Sequence, residues 1–108
     1  MAQLWAEVEI ELLPPEAGGR SVPLNLCNDN PGQYRPHFRV VGGSGELLGV
    51  AFMDGPDEPV SPGARTCATV KSLYEPAVSY AELKKGARFE ILEGPNVVGY
   101  GRVLRLED

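Results

Sequence analysis

Polar and apolar residues alternate strictly at the start of the chain. Over residues 4–13, Leu4, Ala6, Val8, Ile10 and Leu12 fall on one side and Trp5, Glu7, Glu9 and Glu11 on the other. A period of two is that of a strand with one buried face. Pro14 and Pro15 end the run, and a loop holding Gly18 and Gly19 follows. A second short apolar run ends near Cys27, and "NDNPG" at 28–32 is dense in turn formers. Alternation returns over 34–41, with Tyr34, Pro36, Phe38 and Val40 facing one way and Arg35, His37 and Arg39 the other. Pro36 cannot donate to a ladder, so it suits an edge or a strand's start.

After the "GGSG" turn at 42–45, residues 47–53 read as a short strand, followed by an acidic, proline-rich loop over 54–63. Two further strands fit 66–73 and 88–93. Between them, Ser79 with Glu82 has capping-box spacing and Gly86 could stop a helix, with room for little more than one turn. "EGPN" at 93–96 reads as a hairpin turn into a last strand over 97–106. Six or seven short strands with Gly and Pro between them predict an all-β antiparallel barrel or sandwich.

The length of 108 residues sets this as one domain spanning 1–108, large enough to bury a core without metal or disulfide staples. A hydrophobic fraction of 43% is ordinary for a globular chain. Residues 1–13 have neither a basic nor a continuous apolar region, so no secretory signal and no membrane span is expected, and the protein is read as cytoplasmic. Cys27 and Cys67 lie outside any Cys-x-x-Cys pattern and are read as free thiols in that compartment. The net charge of −5 weighs against indiscriminate nucleic-acid binding, which depends on lysine and arginine neutralising phosphates.

Taken in order, "AEVEIELL", "GGRSVP", "YRPHF", "PVSPGA" and "LKKGARFEILEGPNVVGYGRVL" resemble the third, C-terminal domain of elongation factor Tu over almost the whole chain. The resemblance implies a six-stranded antiparallel β-barrel in a bacterial, translation-related setting. It also implies contacts with the acceptor and T-stem of aminoacyl-tRNA and with a nucleotide-exchange factor. Nothing resembles Gly-x-x-x-x-Gly-Lys-Ser/Thr, so neither nucleotide binding nor GTPase activity is expected. Met1 at the threshold of the first strand favours a stand-alone relative over a fragment.

Arg20 matches the arginine of the family's turn, which lies near the tRNA side. Other tRNA-facing positions do not carry over. The segment after the Tyr-Arg-Pro strand is replaced by Val40, Val41 and "GGSG". The Gly-Gly-Arg of the last hairpin is replaced by Gly94, Pro95 and Asn96, and "CNDNPG" is inserted before Tyr34.

The candidate partner-binding residues are Trp5, Arg20, Arg35, His37, Arg39, Asp54, Asp57 and Glu58. Arg20, Arg35, His37 and Arg39 could form a basic patch for RNA, and a tRNA-like helix would be met by Arg20, Arg35, Arg39 and Lys71. Alternatively, if the first strand pairs antiparallel with the Tyr34 strand, Glu7, Glu9 and Glu11 face these cations and the set is scaffold; this reading is preferred. Three glutamates at alternate positions require compensating charge nearby in either case. Trp5, on the polar side of its strand, is either an interface anchor or a half-buried ring covering the barrel's end. Tyr74, Tyr80 and Tyr100 are open in the same way.

The loop carrying Asp54, Asp57 and Glu58 lacks the spacing of a calcium loop and reads as solvated surface or partner contact. His37 is the lone histidine, beside Pro36 and without a Gly-x-Ser-x-Gly elbow, so no catalysis, metal or cofactor is expected. The leading expectation is a non-enzymatic module for protein partners. An RNA-binding module is the alternative, and a self-associating barrel a third.

Overall fold

The computed structural model describes residues 3–26, 34–75 and 77–107. These form six strands: β1 (Trp5–Leu12), β2 (His37–Val40), β3 (Leu48–Asp54), β4 (Arg65–Ser72), β5 (Arg88–Glu93) and β6 (Asn96–Glu107). They close into an all-antiparallel barrel in the order β1-β4-β3-β2-β5-β6, with β6 returning to β1. Closure removes the free edges that an open sheet would leave to other chains. Among the described residues the helical content is one turn of 3₁₀ helix, Pro15–Ala17.

The alternation of β1 is realised residue by residue: Ala6, Val8, Ile10 and Leu12 are buried and Glu11 is exposed. Inside, Phe38 of β2 stacks on Phe89 of β5 with ring centroids 3.9 Å apart, and meets Phe52 of β3 edge-on at 6.0 Å. These three rings are almost wholly buried and tie together three strands that are neighbours in the barrel but not all neighbours in sequence. The aromatic and branched residues of the alternating runs thus supply one continuous core.

Strand bounds match the expected segments to within a few residues, with one clear difference at β2. Regular pairing there begins only at His37, because Pro36 donates nothing to the ladder. The extended chain still carries on before it, since Val50 N donates to Pro36 O and Phe52 N to Tyr34 O. The short apolar run after Gly19 makes only an isolated bridge, Leu24 to Val60. The Ser79 capping box does not form. The Glu82 carboxylate instead accepts from Ser44 N at 3.0 Å, holding the glycine-rich turn over 42–45, and the segment is a series of turns. Cys27 and the turn and insertion over 27–32 lie outside the described residues; Cys67 is an exposed free thiol on β4.

The two glycines of "AGGR" have separate jobs. Gly18 takes φ 92°, the left-handed conformation that ends the 3₁₀ turn, where its N–H donates to Pro15 O. Gly19 has no room for a side chain, because a Cβ there would run into the Leu13 carbonyl. Together they fold the chain back and deliver Arg20 to the end of the barrel where β5 turns into β6.

Candidate functional site

At that end, Arg20 is part of a polar clamp. One terminal nitrogen reaches both oxygens of the Glu93 carboxylate at 2.9 Å, and the Tyr34 hydroxyl donates to the same carboxylate at 2.6 Å. The guanidinium also lies 6.0 Å from the Tyr34 ring centre, and Tyr34 in turn packs on Phe52 at 5.5 Å. The clamp therefore joins the loop after β1, the approach to β2 and the end of β5. Its position follows from the Gly18 and Gly19 fold-back and from the tight turn at Gly94 and Pro95.

Burial first, then the Glu93 carboxylate as hydrogen-bond acceptor and negative neighbour, pushes the Tyr34 phenol well above its ordinary value of 10.0. A group whose folded pKa is raised contributes stability below its unfolded pKa and loses it as pH climbs beyond. Stability should therefore fall from about pH 10 upward, where the unfolded tyrosine ionises and the folded one does not. Urea-unfolding midpoints measured from neutral to alkaline pH should decline less steeply in Tyr34→Phe. A residual slope is expected from Tyr80, whose phenol is also raised by burial.

The three glutamates of β1 find cations, though not those expected. Pairing of β1 with the Tyr34 strand is contradicted: both sides of β1 are taken, by β4 and β6. Glu7 pairs with Arg105 at 3.0 Å, Glu9 with Arg102 at 3.2 Å and Glu11 with Arg65 at 3.2 Å. Arg39 pairs instead with Glu90 of β5 at 2.7 Å. The requirement for compensating charge holds, while the partners follow from strand order. A double-mutant cycle on Glu9 and Arg102 should give a coupling of about 0.2–1 kcal/mol, as exposed pairs do, and a cycle on Glu9 and Arg39 none.

The eight candidate residues do not converge on one place. Trp5 is half-buried on the outer face of β1, beneath the Lys71 ammonium 5.9 Å from its ring centre. Arg35 is exposed in the segment before β2, and His37 is half-buried at the start of that strand. Asp54 closes β3 and accepts from Gly55 N at 2.9 Å, and Asp57 and Glu58 are exposed in the loop beyond it. Of the three open tyrosines, Tyr80 is scaffold: it is buried, donates to Gly49 O at 2.5 Å and accepts from Tyr74 N at 3.3 Å. Tyr74 and Tyr100 are about half exposed.

A charged surface groove lies elsewhere, on the outer face of β1, β4, β5 and β6. Its volume is about 380 Å³, and it is lined by Glu9, Glu11, Arg65, Arg88, Tyr100 and Arg102. Sequence reading missed it because the β5–β6 hairpin comes together with β1 and β4, which are remote from it in the chain, only when the barrel closes. The signal was the alternate spacing of Tyr100 and Arg102, which puts both on one face of a strand. Among the described residues no group of three or more His, Cys, Asp or Glu is arranged to hold a metal ion.

These features define a closed antiparallel barrel with a charged outer face. No protein-family model matches the chain.

Proposed function

We propose that this chain is a non-enzymatic binding module, a barrel resembling the third domain of elongation factor Tu that engages a protein partner through its sheet surface and loops. The closed six-stranded barrel supports the resemblance at the level of fold, a level shared by many functions. The observation that carries the choice of a protein over RNA is the fate of the cations. Arg20 and Arg39, two of the four residues required for tRNA, are held by Glu93 and Glu90. A third, Lys71, lies over Trp5. Carboxylates lodged beside the arginines oppose the phosphate contacts on which RNA affinity depends.

Affinity capture from a bacterial lysate, with and without ribonuclease, tests this reading. A protein partner retained after ribonuclease treatment is the expected result. Enrichment of tRNA that rising salt abolishes would instead return the assignment to an RNA-binding module.

A further inference from the structure

Within the outer-face groove, Arg88 of β5 stands directly across from Arg102 of β6. Like charges opposite one another on neighbouring strands repel. Arg102 uses only its Nε toward Glu9, and Arg65 one terminal nitrogen toward Glu11, while Arg88 has no ion pair among the described residues. Three guanidinium groups against two carboxylates leave the groove positive in a chain whose net charge is −5. The open fork of Arg102 beside Arg88 offers the paired donors that fit a planar carboxylate. Tyr100, two residues before Arg102 and 46% exposed, provides an apolar shoulder with a hydroxyl at its tip.

We infer that this groove is a docking site for a carboxylate-bearing segment of a partner protein, with Arg88 and Arg102 gripping the carboxylate and Tyr100 packing against the segment beside it. The inference rests on the binding-module reading and assigns it a place. β1, β5 and β6 each have a neighbour on both sides, so a visiting strand cannot add to the sheet and recognition must run through side chains. Charge complementarity favours a protein segment over a nucleic-acid backbone. Phosphates following one another along this face would pass over Glu9 and Glu11 as well as the arginines, whereas one carboxylate flanked by neutral residues meets the arginines alone.

The test is an NMR titration of the full ¹⁵N-labelled chain with an acetylated, amidated Ser-Ala-Glu-Ala-Ser peptide, in which one carboxylate is flanked by neutral residues, and in parallel with an RNA duplex. Peptide shifts should centre on Arg88, Tyr100 and Arg102. Arg88→Gln should weaken binding by about fivefold, from loss of charge-assisted hydrogen bonds. Glu9→Gln, which frees Arg102, should tighten it by about threefold, a gain that mere support of the fold would not produce.

Shifts spread over all exposed cations, or an affinity unchanged in Arg88→Gln, would overturn the site. So would RNA shifting the same residues at lower concentration than the peptide. A lysate protein retained equally by wild type and Arg88→Gln would overturn this site while leaving the binding-module reading intact; localised peptide binding with no protein retained would sink that reading and keep the carboxylate site.

Discussion

Phe38→Ala should cost about 3–5 kcal/mol of stability, the range of a large buried aromatic truncated to alanine. For a domain of this size, stabilised in total by about 5–15 kcal/mol, that is a large share of the whole. The ring is the hinge of the core: it stacks on Phe89 at 3.9 Å and meets Phe52 at 6.0 Å, so its removal opens a void shared by β2, β3 and β5. Those strands are held by few ladder pairs around β2, which is only four residues long, so the side chain bears much of the burden. Urea unfolding followed by tryptophan fluorescence should report a lower midpoint at unchanged slope. Phe38→Leu, which keeps most of the volume, should lose much less. Equal losses for the two substitutions would show that the cavity is not the cause.

The second large effect is expected at Gly101→Ala, at about 3 kcal/mol, the upper part of the range for overpacking because backbone must move. An added Cβ would stand 2.6 Å from the Glu9 carbonyl of β1 and 2.6 Å from the Phe89 ring. The ring can shift, but the Glu9 carbonyl lies in the β1–β6 pairing that closes the barrel. Combining Gly101→Ala with Phe89→Leu should therefore not restore the β1–β6 seam, since it relieves the contact with the ring and not that with the strand. Amide hydrogen exchange resolves this: protection should drop along β1 and β6 in Gly101→Ala and stay low in the double variant. Full recovery of protection in the double variant would assign the whole effect to the ring.

The strands and their inward residues were legible in the sequence, because side-chain direction in a strand alternates from one residue to the next and needs no knowledge of neighbours. Val8, Ile10 and Phe38 fall on the apolar side of their alternating runs in this way, and all are buried. The turn at Gly18 and Gly19 was legible for the same local reason. The demand for cations around Glu7, Glu9 and Glu11 was also readable, since their spacing alone puts three like charges on one face.

Which cations answered that demand was decided by the order in which strands met. Closure set β1 between β4 and β6, giving the glutamates Arg65, Arg102 and Arg105 in place of Arg35, His37 and Arg39. Arg20 likewise became a clamp on Glu93 only when the loop after β1 folded over the β5 end. The groove with Arg88, Tyr100 and Arg102 arises from cross-strand neighbours, which are contacts between distant parts of the chain. Alternation is a property of a few consecutive residues, whereas register and strand order are set by the packing of the whole barrel, and the charged surface of this protein is written in the latter.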